Sequence, residues 1–123
     1  MAVPILKQGD ILIASIQSAL TDRDLLQLRD ELSDKVGRLR ARGVIIDVTA
    51  LDVMDSFATR TLRGLAAATR LRGADLVVVG IQPDVAITLV ELGLTLDGVT
   101  TALDLEEGLA ALDTLMGARR RGG

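Results

Sequence analysis

Two short, unbroken aliphatic runs, "VIID" at 44–47 and "LVVV" at 76–79, limit what this chain can fold into more than any other feature. A strand with one wet face alternates apolar and polar side chains, so a run without a polar break suits a strand covered on both faces. Stretches with helical spacing lie between and around these runs. Buried strands alternating with helices imply an α/β sandwich, with an at least partly parallel sheet and right-handed crossovers. The core must be aliphatic, because 49% of the 123 residues are hydrophobic and only 1% are aromatic.

The rest of the chain fits that frame. "VPIL" and "ILIASI" flank the turn-like "KQGD" and read as a strand pair or hairpin. In "TDRDLLQLRDELSDKVGRLRARG", Leu25, Leu28, Leu32, Val36 and Leu39 recur at three or four residues and predict one apolar helix face. Thr21 and Asp24 suit its N-terminus, Glu31–Lys35 and Asp34–Arg38 are four-residue charge pairs, and Gly43 reads as its stop. A second helix is expected from Ser56 to about Arg72, with Ala58, Leu62, Leu65, Ala66 and Thr69 inward. A short third helix opens at Pro83 and Asp84 and closes at Gly93. A strand around Val99 to Thr101 leads to a last helix with Asp104 and Glu107 as its capping pattern and Leu105, Leu109, Leu112 and Met116 as its apolar face. The expected order is β β α β α β α β α in a single domain over residues 1–116, followed by a frayed, disordered tail over 117–123.

Composition removes most enzyme chemistry. With neither Cys nor His, the chain lacks disulfides, thiolates, the usual soft-metal ligands, and the Ser-His and Cys-His nucleophile pairs. Fourteen basic and seventeen acidic residues give a net charge of −3, too little positive field to attract nucleic acid. "MAVPILKQGD" has no basic segment before its apolar run, and no run approaches the roughly 20 residues of a membrane span, so a soluble cytoplasmic domain is expected. A mean hydropathy of +0.39 with so few aromatics points to aliphatic surface covered by other subunits.

No phosphate-binding loop of either standard kind is present. Asp47, Asp52 and Asp55 lack the spacing of a calcium loop and read as ordinary strand-end and loop acids. Asp47, at the carboxyl end of a buried strand, resembles the acceptor of a bacterial receiver domain. The acidic pair and the late Lys of that family are missing, for no Lys follows Lys35. What remains is Ser56 in "TALDVMDSFATR". As a helix N-cap its oxygen would stabilise the helix by about 1 kcal/mol. The same position suits modification, since a phosphate there brings about −1.5 to −2 charges beside free N–H groups. Asp55 and Asp52 would oppose that charge, so phosphorylation would alter the surface far more than the fold.

"GVIIDVTALDVMDSFATRTL" followed by "RGADLVVVGIQPDVAITLVELG" resembles the STAS domain, the fold of bacterial anti-sigma-factor antagonists, and within it the small scaffold subunits of the stressosome. The similarity covers almost the whole chain, and "MDSF" with "GIQPDVAITLVELG" is specific to that subgroup. The resemblance implies an α/β STAS fold with a mixed central sheet and about four α-helices. It implies a non-enzymatic cytoplasmic scaffold of bacterial stress signalling, with no cofactor and no metal. Such a scaffold forms homo- and hetero-oligomers with larger, RsbR-like STAS paralogues. It sequesters an RsbT-like serine/threonine switch kinase and releases it when phosphorylated, with a phosphatase as the opposing partner. The family's acceptor serine falls on Ser56, preceded by Asp55, and Phe57 marks the stressosome subtype. A threonine used in the larger paralogues falls on Thr88. Two other readings stay open: a small STAS domain that binds a nucleotide or other anion near the second helix, and a purely structural subunit whose serine is never modified.

Overall fold

The computed structural model describes residues 3–121. Its elements are β1 (Ile5–Gln8), β2 (Ile11–Ser15), α1 (Asp22–Leu39), β3 (Gly43–Asp47), α2 (Ser56–Leu71), β4 (Asp75–Val79), α3 (Pro83–Glu91), β5 (Thr100–Ala102) and α4 (Leu105–Arg121). The order matches the expected alternation. The five strands form one mixed sheet in the order β1-β2-β3-β4-β5, with β1 antiparallel to β2 and the other neighbours parallel.

This order settles where the helices go. Each of the three parallel crossovers moves one strand in the same direction, so a common right-handed sense places α1, α2 and α3 on one face. Leu12, Ala14, Val44, Ile46, Leu76 and Val78 point to that face and pack with Leu28 and Leu32 of α1, Leu62 and Leu65 of α2, and Val85 and Leu89 of α3. The opposite face, carrying Ile13, Ile45, Val77 and Val79, packs on Leu112 of α4. Both aliphatic runs are therefore buried on two sides.

Helix α1 begins with a complete capping box: the Asp24 N–H donates to Thr21 Oγ1 at 3.1 Å and the Thr21 N–H to Asp24 Oδ2 at 3.2 Å. Of its predicted charge pairs, Asp34–Arg38 closes at 3.2 Å. The helix ends three residues before Gly43, at Arg40, which adopts the left-handed conformation with φ 53°. Gly43 instead opens β3. A side chain there would meet Leu112 Cδ1 at 3.0 Å, so the glycine admits α4 and does not stop α1. Leu39, past the last buried turn, is exposed.

Helix α4 also departs from expectation. It continues through residues 117–121, which the sequence assigned to a disordered tail; the remainder of that tail, 122–123, lies outside the described residues, as do residues 1 and 2. Three arginines complement the negative end of the helix dipole. Arg119 also grips Asp75 at the start of β4, with Nη2–Oδ1 at 2.8 Å and Nε–Oδ2 at 3.3 Å. This two-pronged contact raises the Arg119 pKa above its ordinary value, by hydrogen bonding and then by charge. At the other end the Glu107 N–H donates to Asp104 Oδ1 at 2.8 Å, which realises the expected cap, while Glu107 Oε1 accepts from the Leu103 N–H at 3.3 Å. Between them Gly108 lies against β4, where an added Cβ would come 2.5 Å from Val79 Cγ1.

Leu112 is 0% exposed and is the buried centre of the α4 seat. Leu112→Ala should therefore lower the free energy of unfolding in urea by about 2–5 kcal/mol. A loss below about 1 kcal/mol would mean that α4 does not seal that face.

Candidate functional site

The carboxyl ends of the parallel strands are where open α/β sheets collect ligands and reactive groups. Here that end is closed by residues 48–55, a segment fixed by its own hydrogen bonds. The Val48 N–H donates to Val79 O at 3.0 Å and the Leu51 N–H to Val48 O at 2.9 Å. Asp47 Oδ1 accepts from the Thr49 N–H at 2.9 Å and from its hydroxyl at 2.6 Å. Gln82, just before α3, donates through Nε2 to Thr49 O at 2.8 Å. Gly80 has φ +81°, and a Cβ there would strike the Thr49 hydroxyl. Asp47 is thus a turn residue held by Thr49, in line with its reading as an ordinary strand-end acid. Leu51 and Met54 anchor the segment in the core, while Val53 is 72% exposed.

The cap of α2 is Asp55, one residue before the serine to which the sequence assigned it. Asp55 has extended backbone, with φ −86° and ψ 179°, and its Oδ1 accepts the Ala58 N–H at 2.8 Å. Its carbonyl accepts the Thr59 N–H at 3.0 Å and the Thr59 hydroxyl at 2.9 Å. Asp and Ser are comparable N-caps, and the extended backbone at Asp55 gives the cap to the carboxylate, which also suits the positive helix end. Thr59, not the half-buried Ala58, joins Leu62, Leu65, Ala66 and Thr69 on the buried face.

Ser56 is consequently the first residue inside the helix, half-buried, with a hydroxyl that makes no hydrogen bond among the described residues. The N–H groups of a first helical turn have no intrahelical partners, so a group attached to that hydroxyl would meet free donors. Phe57 beside it is half-buried. Arg60 is exposed one turn on, at the i+4 position that places two helical side chains side by side.

Arg60 and Arg63 escaped the motif reading, although a signal was available: residues 56–74 contain four arginines and no acid. Thr88 lies on the exposed face of α3, its hydroxyl donating to Asp84 O at 2.9 Å. It shares a hollow of about 70 Å³ with Asp52, Val53, Met54 and Val85, so it borders the 48–55 segment that leads into Ser56.

Among the described residues no three His, Cys, Asp or Glu could hold a metal ion, and no helix is long and apolar enough to cross a membrane. The hollow beside Asp55, lined mainly by Leu20, Leu25, Leu51, Val53 and Ala58, measures about 110 Å³. Ligand pockets run to about 300–1,000 Å³, so this hollow is too small to enclose a nucleotide.

Asp55→Ala should cost about 1 kcal/mol in chemical denaturation, and Ser56→Ala less than about 0.5 kcal/mol. The reverse order would return the cap to Ser56.

Comparison with known proteins adds a family to this geometry. The STAS domain model matches residues 2–108. RsbS of Moorella thermoacetica, solved as a serine-to-glutamate variant, is 41% identical, superposes with a TM-score of 0.79, and is covered over 92% of this chain and 96% of its own. A chain from the molecular architecture of the stressosome, a signal integration and transduction hub, is also 41% identical, with a TM-score of 0.74 and coverage of 91% and 97%. The RsbT co-antagonist protein RsbRA of Bacillus subtilis is 32% identical over 83 residues, 68% of this chain. That match spans only 30% of RsbRA, so the chain corresponds to less than a third of that relative's length.

Proposed function

The chain belongs to the STAS-domain family, related to the RsbS and RsbR stressosome proteins, and from that premise we propose that it is a cytoplasmic scaffold subunit of a bacterial stress-signalling assembly, switched at Ser56. In this reading it assembles with larger STAS paralogues and binds a serine/threonine kinase while Ser56 is unmodified. Phosphorylation of Ser56 releases the kinase to a downstream partner, and a phosphatase resets the subunit. Ser56 is a substrate and not a catalyst. Transfer forms a bond between Ser56 Oγ and the γ-phosphorus of ATP, breaks the bond from that phosphorus to the bridging oxygen, and leaves ADP. The hydroxyl proton goes to the kinase.

One observation carries the reading. Asp55 already caps α2, so the Ser56 hydroxyl is free to be modified without removing a bond the helix needs. A phosphate there adds about −1.5 to −2 charges and three acceptor oxygens. Asp55 and Asp52 repel it, while the free first-turn N–H groups and Arg60 at i+4 attract it. These opposing terms keep the fold and make the local surface markedly more negative. Like charges brought together across an interface cost several kcal/mol, enough to expel a partner fitted to the unmodified surface. Thr88, bordering the same segment, is a second candidate acceptor.

Incubation with ATP and the cognate switch kinase, followed by mass-spectrometric mapping, tests the assignment. Phosphate is expected on Ser56 and should be lost in Ser56→Ala, whereas Thr88→Ala should retain it. Ser56→Asp should melt within a few degrees of the parent yet bind the kinase at least about tenfold more weakly. Equal phosphate uptake by Ser56→Ala and the parent would overturn the reading.

A further inference from the structure

We infer that copies of this chain dock head to tail, with the acid-flanked apolar face of α3 of one copy seated on the outer arginine face of α2 of the next. The inference deepens the assembly part of the reading above by naming the surface.

Helix α3 is apolar on two sides. Val85 and Leu89 face the core, yet Ile87 is 56% and Val90 71% exposed. Neighbouring exposed aliphatic side chains of this kind mark a surface that a partner covers. Asp84, Ile87, Thr88 and Glu91 fall at i, i+3, i+4 and i+7, so acids bracket Ile87 along one stripe, and Val90 lies on the adjoining stripe, where it lines a hollow with Ala86, Ile87 and Glu91. The surrounding chain adds to the negative potential, for residues 73–118 contain eight acids and no base.

Helix α2 is the electrostatic opposite. Ser56–Leu71 carries three arginines and no acid. Arg70 is engaged within the fold, donating to Gly98 O at 2.8 Å, and Arg72 just beyond donates to Ser33 O at 2.9 Å. Arg60 and Arg63, among the described residues, have neither an ion pair nor a hydrogen bond from their side chains. Their face continues through Gly64 and Ala67 to Leu71, which is 90% exposed. No atom lies within 4 Å of where a Cβ on Gly64 would sit, so packing within this chain does not account for a mid-helix glycine there.

Each face rejects itself and accepts the other. A two-fold contact through α3 would set acids against acids, Asp84 of one copy facing Glu91 of the other, and one through α2 would set arginines against arginines. Such repulsion selects the heterologous pairing, α3 on α2, which repeats from copy to copy.

Light scattering at low salt tests this. The parent chain should exceed its monomer mass of 13.0 kDa with rising concentration and return to it as salt is added. The pair Arg60→Glu with Arg63→Glu should weaken self-association at least about tenfold, as should Asp84→Lys with Glu91→Lys. An equimolar mixture of the two charge-reversed proteins should regain parental association, because each reversed face then meets its complement. Ile87→Ser with Val90→Ser, which leaves charge untouched, should weaken association without restoring on mixing. A parent that stays monomeric at every concentration, reversed proteins that associate as the parent does, or a mixture that fails to recover would each overturn the inference. Phosphate uptake at Ser56 by the Asp84→Lys, Glu91→Lys protein separates the two readings: its retention leaves the switch standing whatever becomes of the docking face.

Discussion

Burial of β3 and β4 on both faces is the constraint from which the rest of the structure follows. Three crossovers of one hand place α1, α2 and α3 on a single face, so α4 alone must cover the hydrophobic side chains opposite. Its seat is correspondingly close: Leu112 packs on Ile45, Val77 and Val79, Gly108 lies against Val79, and Arg119 closes on Asp75 at 2.8 Å. With both faces occupied, the strand ends are where open α/β sheets collect ligands and reactive groups. The 48–55 segment and the start of α2 stand there.

In the proposed switch, residues 48–55 serve as a hydrogen-bonded platform beside a Ser56 hydroxyl that has no hydrogen bond among the described residues. Asp47, Thr49, Gly80 and Gln82 fix the path of the backbone, Leu51 and Met54 pin it to the core, and Asp55 caps the start of α2. None of these roles falls to Ser56. That separation lets a large change of charge act on the surface while the core is preserved, as a binding switch requires. The arginines of α2 place positive charge beside Ser56, and Asp84 and Glu91 place negative charge on α3, so in the proposed assembly one polarity would both respond to a phosphate and order contacts between subunits.

Much of this was legible in the sequence, and the misses have physical causes. The unbroken runs at 44–47 and 76–79 located the central strands, because full burial leaves no room for a polar side chain. Helical spacing in α1 gave Leu25, Leu28, Leu32 and Val36 correctly, as they all face one sheet. Gly43 was misread as a helix stop because a glycine admitting a neighbouring helix looks the same in one dimension as a glycine ending one. The tail was misread because its partner, Asp75, lies 44 residues away in sequence. At the site, Ser56 was singled out but Asp55 took the cap; both residue types are good caps, and only the backbone angles decide between adjacent candidates. The charge polarity of α2 against residues 73–118 was present as plain counts, yet it acquires meaning only once the two helices are seen to expose separate faces.

The central claim is that modification of Ser56 changes the surface and leaves the fold intact. Amide hydrogen exchange on the unmodified and the stoichiometrically Ser56-phosphorylated protein tests it most directly. Protection across α2 and β3 should be unchanged, with differences confined to the first turn of α2 and residues 48–55. Loss of protection along the length of α2 on phosphorylation would contradict the account, because Ser56 would then be a structural position and not a switch.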